Sequence, residues 1–402
     1  GYGNQEVIAT ATEQMNKLTF NHMFGGKTHQ VAIDLADKLA DMIPMKDAVI
    51  SFGNSGSDAN DTHIKLLRYY HEAIGKPHCR KIIARERSYH GVTVAAASLT
   101  GLPVTQNHFD LPVDALGILR TDHPHYYRGK LGEETEVEFV DRIVGNLEAM
   151  ILREGPDTIA AFIAEPITGA SGVIVPPEGY YQKVQAVLNR YDIMFWADEV
   201  ITGFGRTGSD FGCNTMGIES PDMMTFAKQL SSAYMPISAS AINREMYTAM
   251  IEQTATAGAF GHGYTYSGHP VACAVALKVL EIYQRDSIFE KAAVTGQYMQ
   301  KRLAEFTDHP LVGEVRGSGL LGAIELVANK ETGEPFVGGT VGGYAQKMAQ
   351  DEGLLIRAVA GSSLGFCPPL IISEIQIDEM IEKVAIALDK TLDYCTQEGL
   401  LA

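Results

Sequence analysis

Residues Ile193 to Ser231 read IMFWADEVITGFGRTGSDFGCNTMGIESPDMMTFAKQLS. A short apolar run, Ile193 to Ala197, ends on two acids, Asp198 and Glu199. A second short run, Met223 to Ala227, ends at Lys228. Brief apolar runs bounded by turn residues have the pattern of strands in a parallel sheet. Ligands on such sheets sit outside the carboxyl ends of the strands. The spacing therefore predicts a carboxylate and an amine converging on one crevice from nearby strand ends. Pyridoxal phosphate (PLP) chemistry needs that pair, a lysine for the Schiff base and an acid that keeps the pyridinium nitrogen protonated.

The same stretch holds a decoy. Gly203, Gly205 and Gly208 spell G-x-G-x-x-G. A dinucleotide site requires those glycines between a strand and the start of a helix. Here Ser209, Asp210, Gly212, Asn214 and Gly217 follow, which is loop composition. The expectation is a glycine-rich loop beside the site.

Upstream, Ala48 to Phe52 reads as a strand, then Gly53-Asn54-Ser55-Gly56-Ser57, then a helix from about Asp58 to Ile74. Strand, small-residue loop and helix start form a setting in which free N–H groups bind an anion. The alternative is a turn capped by Ser57. With Asp198 and Lys228 downstream, a cofactor phosphate is the favoured reading. Lys81 to Arg85 is another strand, followed by Ser88-Tyr89-His90-Gly91. Tyr89 can stack on a planar ring or serve as a half-buried tyrosine. His90 has no partner histidine at metal spacing, so a packed histidine is the simpler reading, and no metal site is expected. Residues 101–135 look loop-rich, with His123, His125, Tyr126 and Tyr127 at a surface or interface. Ala160 to Ala164 is a buried strand ending at Glu165-Pro166, and Ser238 to Ile242 is a further one.

Short buried strands thus alternate with helices from about 48 to 242, the signature of an α/β sheet. A polar loop, Gly258 to Pro270, leads into a long helix. Beyond about Asp286 come helices and a few strands (Gly322 to Leu326, Leu354 to Arg357, Leu364 to Phe366), then a terminal helix with a Ser373/Gln376 capping box. The expected division is an N-terminal segment 1–30, a large domain 31–285 and a smaller α+β domain 286–402.

With 402 residues, 46% hydrophobic and 20% charged, the chain has the composition of a globular enzyme. Its net charge of −17 argues against nucleic acid or an anionic membrane as partner. Five cysteines without C-x-x-C spacing suggest reduced thiols and a cytoplasmic protein. The start, GYGNQEVIATATEQM, has neither a signal-peptide pattern nor an initiator Met.

Six motifs, FGNSGSDAND (52–61), SYHG (88–91), AEPITGASGVIVPPEGY (164–180), WADEVITGFGRTG (196–208), TFAKQLSSAYMPISA (225–239) and YTYSGHPVACAVAL (264–277), resemble those of class III aminotransferases. They look most like the ω-amino-acid and amine:pyruvate transaminases of fold type I. The resemblance implies a PLP-binding large domain with a mostly parallel central sheet between helices, plus a smaller C-terminal domain. It implies Lys228 as Schiff-base lysine and proton shuttle, Asp198 as partner of the pyridinium nitrogen, and Glu165 as a carboxylate behind it. Val200 and Tyr89 would pack on the two faces of the ring, with His90 among the cofactor contacts. Gly56 and Ser57 would hold the phosphate, and Thr265 the phosphate of a neighbouring subunit, so that a homodimer shares its sites. Arg357 would bind a substrate carboxylate. Two departures stand out: Asp58 replaces the usual Glu, and relatives carry a segment ahead of the position of Gly1. The implied reaction moves an amino group from an amine or ω-amino acid to a keto acid such as pyruvate, in two ping-pong half-reactions. The alternatives are an aminomutase, another PLP reaction on the same fold, or a non-catalytic PLP-binding protein.

Overall fold

The computed structural model describes Gly1 to Ala402 and divides the chain into two compact units. The first holds residues 1–166, 176–204 and 211–286; the second holds 167–175, 205–210 and 287–402. No helix is long and apolar enough to cross a membrane.

The first unit is built on seven strands: β1 (Val49–Gly53), β2 (Lys81–Arg85), β3 (Ile118–Thr121), β4 (Ile159–Ala164), β5 (Met194–Asp198), β6 (Met223–Phe226) and β7 (Ser238–Ile242). Their order is β1-β7-β6-β5-β4-β2-β3. The pairs from β6 through to β3 are parallel, and β7 is antiparallel to both its neighbours. Every residue of β4, β6 and β7 is buried, so these strands are apolar or small throughout rather than alternating. Helices supply the other half of the core: Ile64, Leu67 and Tyr70 of the helix Gly56–Ala73 pack with Ile82, Ile163, Trp196 and Met223.

Because β4, β5 and β6 are parallel neighbours, their carboxyl ends share one edge of the sheet. Glu165 follows the last residue of β4, Asp198 is the last residue of β5, and Lys228 lies just beyond Phe226 of β6.

In the second unit, β8 (Val312–Ser318) and β9 (Leu321–Asn329) form an antiparallel hairpin turned at Gly319, which has φ +56°. The pair β10 (Glu334–Pro335) is a short addition to β9; β11 (Arg357–Val359) and β12 (Ser363–Phe366) extend the sheet in the order β10-β9-β12-β11. The last helix, Glu374–Gln397, begins with the expected capping box: Ser373 accepts from the Gln376 N–H. Ile377, Met380, Ile381, Val384 and Leu388 form its buried stripe.

Several expectations need correction. The helix after β1 starts at Gly56, with Ser55 and not Ser57 as its cap. The segment 101–135 contains β3, parallel to β2, and its His125 is buried. As a half-buried edge strand of four residues, β3 carries too little apolar pattern to stand out. The strand expected at Leu354 to Arg357 lies instead at Arg357–Val359; Leu355 is exposed. The helix Arg244–Ala257 and strand β8 were not anticipated.

Candidate active site

A cleft of about 390 Å³ opens at the carboxyl edge of the first unit's sheet. Asn54 to Ser57, Tyr89 to Gly91, Glu165, Asp198, Val200 and Lys228 line it. Eight of the ten residues singled out from the sequence therefore meet in one place. Thr265 lies in an exposed turn of the same unit and does not line the cleft. Arg357 is exposed at the start of the edge strand β11 in the second unit.

Asp198 forms the floor. It is buried, and burial alone would push its carboxyl up. The hydrogen bonds reverse that effect. His90 Nδ1 lies 2.9 Å from Oδ2, Asn60 Nδ2 donates to Oδ2 at 3.0 Å, and the Val200 N–H donates to Oδ1 at 3.1 Å. The net result is a carboxyl held below its usual value, and so ionised at neutral pH. Since Nδ1 faces a carboxylate, it is the nitrogen that carries the hydrogen.

The two acids after the Ile193 run do different work. Glu199 is buried on the other side of the backbone, where it accepts from the Gly212 and Cys213 N–H groups at 3.0 and 2.7 Å. It thus caps the five-residue helix Gly212–Met216, and burial pushes its carboxyl up. No helix opens at Gly203; the glycine-rich segment runs through turns and bends to Phe211, as no dinucleotide fold would.

Glu165 holds the neighbouring wall. Its carboxylate accepts from the Tyr89 N–H at 2.9 Å and so sets the strand-end loop that carries Tyr89 and His90. Its carbonyl accepts from the buried Arg85 guanidinium at 2.6 Å. Tyr89 is half-buried, the position of a ring with one face available to the cleft.

At the opposite wall, Ser55 and Asp58 form a capping box, with Asp58 accepting from the Asn54 and Ser55 N–H groups and from Ser238 Oγ. The Gly56 and Ser57 N–H groups, in the first turn, have no intrahelical acceptor and are left to bind an anion. Ser57 Oγ accepts from the Val92 N–H at 3.1 Å, which leaves its own hydrogen to donate. The approach is close: a Cβ on Gly56 would lie 2.9 Å from Val200 Cγ2. A Cβ on Gly91, which has φ +128°, would lie 2.5 Å from Ser57 Oγ.

Lys228 sits in a left-handed backbone conformation, φ +38°, followed by Ser232 and Ala233 at +48° and +62°. Such strain in non-glycine residues persists only where the surroundings impose it, and it gathers at functional sites. Here Ser231 Oγ donates to the Met235 carbonyl at 2.7 Å, and the Tyr283 hydroxyl donates to Gln229. The turn is thereby bolted, with Lys228 exposed to the cleft.

An ionised carboxylate on the floor, an amine on a strained turn, a half-buried aromatic and an anion-binding helix start fit PLP: pyridinium, aldehyde, ring and phosphate each find a complementary group. Sequence reasoning missed Asn60. It lies inside a helix with no local signal, and only the fold brings it to Asp198.

The comparisons with known proteins agree. The model of the class-III aminotransferase family matches residues 1–388. A probable gamma-aminobutyrate transaminase 3, mitochondrial, of Oryza sativa subsp. indica is 47% identical over 396 residues, covering 97% of this chain and 76% of that protein. The diaminobutyrate–2-oxoglutarate transaminase of Halomonas elongata is 41% identical over 406 residues, covering 100% and 86%. The crystal structure of the omega transaminase from Pseudomonas jessenii in complex with PMP has a TM-score of 0.96 and 49% identity, covering 98% of this chain and 86% of that one. The chain belongs to the class III aminotransferases and is a PLP-dependent transaminase.

Proposed function

We propose that the protein is an ω-transaminase that takes an amino group from an amine or ω-amino acid and passes it to a keto acid, pyruvate first among the acceptors. The observation that carries this reading is the meeting of Lys228 and Asp198 at neighbouring strand ends of one cleft. The donor class is suggested by similar proteins named as gamma-aminobutyrate and omega transaminases.

Bound PLP supplies the electron sink that lets a substrate C–H proton leave. Lys228 Nζ holds the cofactor covalently and moves the proton that amino transfer requires. Asp198, kept ionised by His90 and Asn60, keeps the pyridinium nitrogen protonated. Tyr89 and Val200 enclose the ring, with Glu165 fixing Tyr89 from behind. Gly56 and Ser57 grip the phosphate through two N–H groups and a hydroxyl. Thr265 serves the phosphate of a neighbouring subunit, and the protein works as a homodimer with shared sites. Arg357 reads the substrate carboxylate, for which a guanidinium is the matching group. Five unpaired thiols suit the cytoplasm.

A panel of amine and ω-amino-acid donors, assayed with pyruvate for alanine formation, tests the reading. Turnover of at least one carboxylate-free amine and one ω-amino acid is expected. Arg357→Ala should then raise KM about tenfold or more for pyruvate and ω-amino acids, since a charged hydrogen bond contributes about 1.5–3 kcal/mol. The amine half-reaction should be spared. Equal losses for both donor types would remove Arg357 from the site, and no alanine from any donor would overturn the substrate assignment.

A further inference from the structure

The Asp198 carboxylate stands at the end of a chain of hydrogen bonds that begins at the only tryptophan in the sequence. Trp196 is fully buried on β5, and its indole N–H donates to Thr225 Oγ1 at 2.8 Å. An indole nitrogen is a donor only, so the Thr225 hydroxyl has an occupied lone pair and sends its own hydrogen onward. It sends it to Asn60 Oδ1, 2.8 Å away. That contact decides which way the amide faces. The two hydrogens of Asn60 Nδ2 then go to Asp198 Oδ2 at 3.0 Å and to the His90 carbonyl at 2.6 Å. A flipped amide would press its oxygen against a carboxylate and a carbonyl at once.

Every donor and acceptor in the chain is therefore set by the first. Trp196 and Asp198 are two residues apart on β5 and share a face. Thr225 is the β6 residue in register with Asp198. Asn60 arrives from the helix whose first turn lines the cleft, and it is fully buried. A buried network with every bond satisfied is stiff, and breaking one member leaves the rest unpaired. His63 packs 5.0 Å from the indole, and burial holds its pKa down to about 4, so it is neutral there.

We propose that Asn60 is a positioning residue for amino transfer: through the Trp196–Thr225–Asn60 chain it holds in one orientation the Asp198 carboxylate that would pair with the ring nitrogen of the cofactor. A consequence is that Trp196 reports on the catalytic acid. The inference rests on the chemistry of the family and on no choice of substrate.

The test uses the holoenzyme and three variants. Thr225→Val removes the hydroxyl at nearly constant shape, Thr225→Ser keeps it, and Asn60→Asp replaces the amide donors with acceptors. Steady-state kinetics with one accepted donor are measured beside the single ¹⁵N-indole signal. Thr225→Val should lower kcat about tenfold with KM changed less than about threefold, the pattern of an interaction lost in the transition state. Thr225→Ser should restore kcat to within about threefold of the parent. Asn60→Asp, folded and showing one sharp indole signal, should lose about a hundredfold in kcat, because two carboxylates would then meet where one donor and one acceptor stood. Adding PLP to cofactor-free protein should move the indole signal, and markedly less so in Thr225→Val. Equal kcat in Thr225→Val and Thr225→Ser would overturn the proposal. So would parental kcat in folded Asn60→Asp, or a loss in Thr225→Val carried by KM alone.

Discussion

Asp198 is buried, yet it is held below the usual carboxyl range by bonds from His90 and Asn60 that outweigh the cost of burial. Two outcomes follow at this scale. Asp198→Asn keeps the size and removes the charge, so the electron sink should weaken and kcat should fall by about 10² or more, the scale of other preorganised electrostatic contributions. Unchanged kcat would mean that another acid holds the ring nitrogen. The second outcome concerns stability. A carboxyl whose folded pKa lies below its unfolded value contributes stability that is fully present above the unfolded value and lost as pH falls through the folded one. For Asp198 that window lies below the ordinary 3.8. The parent should therefore lose stability on acidification below about pH 4 more steeply than Asp198→Asn does, measured by denaturant unfolding. Identical slopes would contradict the assignment. Lys228 and Asp198 were legible in the sequence because each closes a short apolar run. Asn60 was not, since its partners come from β5, β6 and the His90 loop, and no local pattern announces them.

The helix Gly56–Ala73 shows the same contrast at the scale of elements. Its position after β1 could be read from the run of small residues, but the cap could not, because Ser55 and Ser57 both precede helical sequence. The structure chooses Ser55 through the reciprocal bonds with Asp58, which places the Gly56 and Ser57 N–H groups at the cleft. Asp58, which stands where the resembling family usually has Glu, closes this capping box. Gly56→Ala should push a methyl against Val200 and crowd the ring's seat. Overpacking of this kind costs about 1–3 kcal/mol, so PLP affinity should fall about tenfold in an equilibrium titration. Unaltered affinity would show that Val200 moves freely. At the far end of the chain, Ser373→Ala removes a cap with no connection to chemistry. It should cost about 1 kcal/mol of stability in thermal unfolding and leave kcat unchanged. The strands β4 to β7 were legible because all their residues but Met194 are buried, whereas β3 was hidden by its half-buried edge position.

On the scale of the whole molecule, strand order turns a linear sequence into a site. Glu165, Asp198 and Lys228 are far apart in the chain and become neighbours because β4, β5 and β6 are consecutive in one parallel array. The sequence could name the strand ends; it could not show that these strands are adjacent, nor that β7 runs against them. The net charge of −17 adds a constraint, since an anionic keto acid needs a local positive group to bind to an acidic protein. At this edge of the sheet Lys228 is the proposed covalent seat of PLP. Borohydride reduction of the holoenzyme followed by peptide mass analysis tests it most directly. A phosphopyridoxyl adduct is expected on the peptide carrying Lys228, absent from Lys228→Ala, which should also lose transamination. An adduct on another lysine, or parental turnover by Lys228→Ala, would contradict it.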